Sequence, residues 1–139
     1  MHALETLHAL LEPDGCLIDL HPSGQPPPIE AWIAGLPHLL GYMQETDDFI
    51  EYAQAATALA EIIQSGLFEL EQQGAFMFVT RADSVEELHA FLNENWSDAV
   101  LPAEIEIQAD RLSLSTGPIA SVQLCQQVHI TRLRKTSPV

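Results

Sequence analysis

Residues 22–28, Pro-Ser-Gly-Gln-Pro-Pro-Pro, interrupt any regular secondary structure near the start of the chain. Three adjacent prolines remove backbone N–H donors and hold the chain extended, so neither a helix nor the interior of a sheet can include them. The preceding segment, Cys16–Leu20, is apolar apart from Asp19 and follows the turn residues Asp14-Gly15. This pattern predicts a strand covered on both faces at the centre of a sheet.

Apolar residues at helical spacing predict four helices, three of them with recognisable boundaries. The second ends before Gly66, and the third begins with a capping box in which Asp83 or Ser84 precedes Glu86 or Glu87 by three residues. Pro102 favours the first turn of the fourth. The expected ranges are 2–12, 47–65, 83–96 and 102–109.

Two segments have the pattern of β-hairpins. Residues 29–34 and 38–44 flank Gly35-Leu36-Pro37, and we expect this hairpin at a sheet edge because of its proline. The second hairpin is predicted around Gln72-Gln73-Gly74, with Phe68, Leu70, Phe76 and Phe78 supplying an aromatic and apolar face.

A long alternating strand, residues 121–133, completes the predicted elements. Together they predict an α/β fold in which a small mixed sheet with antiparallel hairpins is packed by three to four helices. The chain of 139 residues is within the usual size of one domain, so we expect a single domain, 1–139.

The charge of the chain limits its partners. Five Lys and Arg stand against twenty Asp and Glu, giving a formal net charge of -15, which repels phosphate backbones and anionic bilayers. We therefore expect neither nucleic acid nor a membrane as a partner. Three of the five cations, Arg132, Arg134 and Lys135, follow one another near the C-terminus, where they form either a solvated tail or an anion site.

Cysteine and histidine usage indicates a reduced, metal-free protein. Cys16 and Cys125 are too few for a disulfide framework, and there is no Cys-x-x-Cys or His-x-x-x-His motif. Residues 1–11 have no basic region, and no uncharged apolar run reaches the roughly 18 residues of a membrane helix. We expect a cytoplasmic protein without a bound metal.

The segment from Leu4 to Pro22 predicts a helix, a turn and a hydrophobic strand. The turn has the sequence Leu10-Leu11-Glu12-Pro13-Asp14-Gly15, and the strand ends in Asp19-Leu20-His21-Pro22. This segment resembles class I S-adenosylmethionine-dependent methyltransferases, whose fifth strand follows a helix and a "leucine, any, proline, glycine, glycine" turn. Asp14 stands where that family usually has the first glycine. The later order of long helix, hairpin strand and terminal strand is similar to the family's C-terminal half, which is half of a Rossmann-like fold.

The resemblance implies a fold half without its cofactor-binding half. The family binds its cofactor through a Gly-rich turn after the first strand, and this chain has no Gly-x-Gly-x-Gly. We therefore expect no cofactor and no cofactor-binding residue, and a non-catalytic module that serves in binding, regulation or assembly. The alternative is one subunit of a split methyltransferase that uses S-adenosylmethionine, with a separate protein supplying the cofactor half.

A half-sheet leaves an open edge, which predicts a homodimer. The hairpin at 29–44 is an addition to the family pattern. It either covers the open edge of the sheet or pairs with the same hairpin of a second copy. Its Trp32, Tyr42 and Met43 are candidates for the interface, since aromatic residues and Met are enriched there, or for ordinary core packing. The family's strand order would also place Cys16 and Cys125 on adjacent strands, as a thiol pair.

Asp19 and His21 are the candidate ligand-site residues. They lie two apart, on one face of the predicted strand and at its C-terminal end, where ligands bind in open α/β sheets. They form either a base with its orienting carboxylate or a polar strand end beside the proline loop. No nucleophile completes a triad with them in the sequence, and we predict no catalytic residue. A pocket lined by Phe68, Phe76 and Phe78 is a further alternative.

Overall fold

The computed structural model describes residues 2–137 and has the predicted mixed α/β class. The described residues form four helices and seven strands, and no helix among them is long and apolar enough to cross a bilayer. The helices are α1 (His2–Leu10), α2 (Ile50–Gln64), α3 (Val85–Asn95) and α4 (Ala103–Thr116). The strands are β1 (Cys16–Pro22), β2 (Pro28–Ile33), β3 (Leu36–Tyr42), β4 (Gln44–Glu45), β5 (Phe68–Ala82), β6 (Ala99–Val100) and β7 (Ser121–Lys135).

The long strand β7 organises the main sheet. It pairs antiparallel with β1 through residues 128–134 and with β2 through residues 121–124, and it also pairs with β5. Strands β2 and β3 form the predicted hairpin, with a bulge between Ile29 and Glu30. Strands β4 and β6 form a separate two-stranded sheet.

The prediction that β1 is a central strand is wrong. Within residues 2–137, β7 is the strand that pairs with β1, so β1 lies at the end of the sheet. Its apolar run reflects one covered face, which includes Leu17, and one exposed face, which carries Ile18 and Leu20. The strands that carry Cys16 and Cys125 are adjacent, but Cys16 lies opposite Arg134, so the predicted thiol pair does not form.

The chain divides into two compact units. The first contains residues 2–24, 50–76 and 128–137, and its core is formed where α2 covers strands β1, β5 and β7. Burial of these apolar side chains from water is the main stabilising term for such a core. The buried residues of this cluster are Leu59, Ile62, Phe68 and Leu133, and Leu4, Leu11, Leu17, Ile63 and Leu67 pack against them.

The second unit contains residues 25–49 and 77–127. Alternate residues of β2, namely Ile29, Ala31 and Ile33, are buried, as expected for a strand with one face on a core. Further buried apolar side chains come from α3, α4, strand β3 and the residue after it, and from β7. Among these are Leu40, Met43, Leu88, Leu92, Ile105 and Ala109.

The helix boundaries follow from local hydrogen bonds and backbone angles. Ser84 Oγ accepts a bond from the Glu87 amide at 3.1 Å, which confirms the predicted capping of α3. Helix α2 begins at Ile50, three residues later than expected, because Asp48 and Phe49 adopt positive φ values of 54° and 62° in a turn. Helix α4 continues to Thr116 and ends at Gly117.

The second predicted hairpin is wrong, because residues 68–82 form one continuous strand, β5. A turn at Gln72-Gln73-Gly74 would need residues with positive φ, and Gly74 is not among the residues with such an angle. Gly74 instead lies inside the strand, where a Cβ would be 3.8 Å from the Ile130 side chain of β7.

Candidate functional site

Asp19 and His21, for which the sequence left two arrangements open, are in contact at the end of β1. The Nδ1 of His21 lies 2.5 Å from Asp19 Oδ2, and both side chains are largely buried. Because an ionised carboxylate can only accept, His21 Nδ1–H donates this bond, and Nε2 is an acceptor when the ring is neutral and a donor when it is protonated. The alternation of β1 produces this arrangement, since residues two apart share a face.

Two residues of β7 join this pair through the strand register. His21 lies opposite His129, with 5.9 Å between their ring centroids, and Asp19 lies opposite Thr131. The period of two in β7 puts His129 and Thr131 on the face that also carries the buried Leu133. The pairing of two distant segments therefore builds a polar cluster that neither segment contains alone.

The side chains of His21, His129 and Thr131 form one side of a pocket of about 600 Å³, with Asp19 behind His21. The opposite side is the apolar surface of α2, where four residues at helical spacing face the cavity. Such a cavity has the size and the largely apolar lining of small-molecule sites. Its lining residues are His21, His129, Thr131, Gln73, Gly74, Ala75 and Leu70 from the sheet, with Ala56, Leu59, Ala60 and Ile63 from α2.

The pocket has binding groups but no assembled nucleophile. Among residues 2–137, no hydrogen bond joins the Thr131 hydroxyl to His21 or to His129, so neither imidazole is placed to remove its proton. No group of three or more His, Cys, Asp or Glu side chains suited to a metal ion occurs in the described part of the chain. The site can accept and donate hydrogen bonds beside an apolar wall.

The candidate interface residues of the hairpin have different environments. Met43 is completely buried within the chain, where it packs in the core of the second unit and has no surface for a partner. Trp32 is partly buried, and its indole Nε1 is buried without a hydrogen-bond partner among the described residues. Tyr42 is the member of this set with an exposed side chain.

The most exposed apolar segment lies on β5. Every residue from 69 to 79 is exposed, and Phe76, Met77, Phe78 and Val79 follow one another with 43% to 56% of their surface accessible. Phe68, at the start of the same strand, is buried in the core of the first unit. The three phenylalanines therefore do not form a common pocket, and Leu70 and Ala75 line the cavity instead.

The C-terminal cations belong to a strand and are used within the chain. Arg132 and Arg134 of β7 both form ion pairs with Glu71 of β5, and Lys135 Nζ donates to the Leu11 carbonyl at 2.7 Å. The interpretation as a solvated tail is therefore wrong, because these residues continue strand β7, and the anion site stays a prediction. The carboxylate of Glu71, on the neighbouring strand, neutralises the charges of Arg132 and Arg134.

His129, Thr131 and Gln73 were not recognisable as site residues from the sequence. The alternation of β7 indicated that His129 and Thr131 share a face, but only the register with β1 identifies that face with Asp19 and His21. Comparisons with protein-family models, curated proteins and solved structures found no match for this chain.

Proposed function

We propose that the protein is a non-catalytic binding and assembly module that works as a homodimer, with two copies joined along β5. The observation that carries this proposal is the exposed run Phe76–Val79 on a strand whose one paired neighbour in the described chain is β7. An unpaired edge with large apolar side chains is a template for another strand, and folded proteins normally cover such an edge.

The charge pattern favours a second copy as the partner. The chain carries a net charge of -15, yet residues 72–80 contain no charged side chain, so two copies can approach there without like-charge contact. An antiparallel pairing centred on Phe76 places Glu71 of each copy opposite Arg81 of the other, because both lie five residues from the centre. Arg81 has no ion pair among the described residues, so it is free for this contact.

Mass measurement by light scattering tests the dimer. The wild-type chain is expected at twice its own mass, and Phe78→Glu is expected as a monomer, because it places a charge in the apolar centre of the interface. Leu114→Glu is the matched control, since Leu114 is 90% exposed on α4 and outside β5. A monomeric wild type, or a dimeric Phe78→Glu variant that keeps its circular dichroism spectrum, contradicts the proposal.

A second proposal retains the methyltransferase resemblance, with this chain as the substrate-facing subunit of a split enzyme. The observation that favours it is the antiparallel pairing of β1 with the terminal strand, the adjacency that the family's strand order implies. Calorimetry with S-adenosylmethionine and S-adenosylhomocysteine separates the two proposals. The non-catalytic module predicts no binding heat, whereas saturable heat from either compound favours the methyltransferase subunit.

A further inference from the structure

We propose that the pocket between α2 and the end of β1 is a binding site for an amphipathic primary amine, held as its ammonium ion with a hydrocarbon tail. The ammonium contacts His21, His129 and Thr131, and the tail lies along α2. All of these residues belong to one chain and one unit, so the site does not depend on the proposed dimer.

The polar end of the pocket can present three hydrogen-bond acceptors, one each from His21, His129 and Thr131. Asp19 accepts the Nδ1–H of His21, and in the neutral form of the ring this leaves Nε2 as a lone-pair acceptor. The second imidazole, His129, lies 5.9 Å away between ring centroids, and the Thr131 hydroxyl adds another oxygen acceptor. No side-chain hydrogen bond within residues 2–137 uses His21 Nε2, the His129 ring or the Thr131 hydroxyl. An ammonium ion has three donors and no acceptor, which matches this set.

The charge around the pocket also favours a cation. No Lys or Arg lines it among the described residues, while the carboxylate of Asp19 lies directly behind His21. The chain as a whole carries a net charge of -15, and this field raises the local concentration of cations and lowers that of anions. A carboxylate or phosphate ligand would enter without a permanent positive charge to neutralise it.

The opposite wall of the pocket suits a hydrocarbon chain. Ala56, Leu59, Ala60 and Ile63 occupy positions i, i+3, i+4 and i+7 of α2 and so form one continuous apolar stripe. The two alanines leave room between this stripe and the sheet. Leu70 of β5 extends the apolar surface on the other side of the cavity. A linear alkyl tail therefore removes apolar surface from water on both sides.

Calorimetric titration of the full chain at pH 8 with octylammonium chloride tests the site, with octanoate and 1-octanol as comparison probes. We expect one octylammonium per chain, bound at least about tenfold more tightly than either comparison probe, since a hydrogen bond to a charged group is worth about 1.5–3 kcal/mol. Octanoate or octanol binding as tightly as octylammonium overturns the proposal, and so does the absence of octylammonium binding.

Two pairs of variants locate the site. His129→Phe removes an acceptor and Ala56→Phe fills the cavity from an exposed position on α2, and each is expected to weaken octylammonium binding at least about tenfold. The controls are His89→Phe and Ala90→Phe, the same substitutions at exposed positions of α3, which should bind as the wild type does. Ala60→Phe replaces Ala56→Phe if circular dichroism shows that the latter is unfolded. Unchanged binding in the folded pocket variants overturns the location.

Discussion

Glu71 on β5 and Arg132 on β7 form an ion pair across neighbouring strands, with 2.8 Å between Glu71 Oε2 and Arg132 Nε. Arg134 donates a hydrogen bond to the other carboxylate oxygen of Glu71 and also donates to the Asp14 carbonyl at 3.0 Å. One carboxylate thus links β5 to two arginines of β7, and through Arg134 to the turn before β1. Three of the five cations of the chain lie in β7, where they stabilise contacts between segments distant in sequence.

We expect this solvent-exposed ion-pair cluster to make a small contribution to the stability of the fold that is lost at acid pH. The hydrogen bond from Arg134, with the charges of Arg134 and Arg132, holds the pKa of the Glu71 carboxyl below its usual range. A carboxyl whose pKa is depressed in the folded state stabilises it above the unfolded pKa, about 4.3, and that contribution is lost as pH falls through the folded pKa.

We expect Glu71→Gln to reduce the pH dependence of the unfolding free energy. Between neutral pH and about pH 3, the wild type should lose more stability than the variant, measured by urea unfolding at a low protein concentration. Glu69→Gln is the control, because Glu69 is also exposed on β5 but forms no ion pair among the described residues. Equal losses in the wild type and in Glu71→Gln would show that the cluster does not stabilise the fold.

Gly41 of β3 is expected to be the least replaceable glycine of the hairpin. Its φ is 152°, and a Cβ at this position would lie 2.5 Å from Ile105 Cδ1 of α4. Gly35 in the hairpin turn has a φ of 78° but no atom within 4 Å of the corresponding Cβ. Gly35→Ala should therefore cost about 1–2 kcal/mol from backbone strain alone. Gly41→Ala should cost about 1–3 kcal/mol more from overpacking against Ile105.

Urea unfolding of both glycine variants measures this difference. Both substitutions add the same methyl group in the same hairpin, but φ differs between the two positions (78° and 152°), so the contact with Ile105 is tested by changing Ile105 itself. A second variant, Gly41→Ala with Ile105→Val, should recover part of the loss by shortening the side chain that the new Cβ meets. Equal stability of the two single variants would mean that α4 shifts to accommodate the methyl group at no cost.

Ser84 is expected to stabilise α3 through its capping bond. Its hydroxyl accepts from the Glu87 amide, and the Glu87 carboxylate in turn accepts from the Asp83 amide at 2.6 Å. Ser84→Ala should lower the unfolding free energy by about 1 kcal/mol, and Ser84→Asp should retain most of it. Ser113→Ala, an exposed position inside α4, is the control and should change stability little. Urea unfolding curves of the three variants, compared with the wild type, measure these changes in the free energy of unfolding.

The sequence predicted some elements and not others for identifiable reasons. The hairpin of β2 and β3 and the cap of α3 were predictable because Gly35 and Ser84 act through neighbours in sequence. The continuous β5 was not, because Gln72-Gln73-Gly74 has turn composition and only its pairing with β7 selects the extended form. The position of β1 at the sheet end also depends on tertiary pairing, which an apolar run cannot reveal.

The residues of the candidate site also differ in whether local sequence or strand pairing brings them together. Asp19 and His21 were predictable because a strand places residues two apart on one face, and their contact is local. His129 and Thr131 depend on a register between segments more than one hundred residues apart, which fixes which face of β7 meets β1. The exposed edge of β5 could not be recognised because a hairpin was predicted there. Of the candidate interface residues, Met43 is instead part of the core, where its alternative placed it.

Cys125 is expected to react slowly with alkylating reagents. Burial, together with the negative charge of Glu30 and a 3.9 Å contact between Cys125 Sγ and Glu30 Oε2, raises the pKa of the Cys125 thiol. Since the thiolate is the nucleophile, a raised pKa and partial burial both lower the reaction rate at a given pH. In a Cys16→Ser background, iodoacetamide should modify Cys125 more slowly than it modifies free glutathione at pH 8. Glu30→Gln removes the charge while keeping the shape, so it should raise the rate, and an unchanged rate would leave burial as the sole cause.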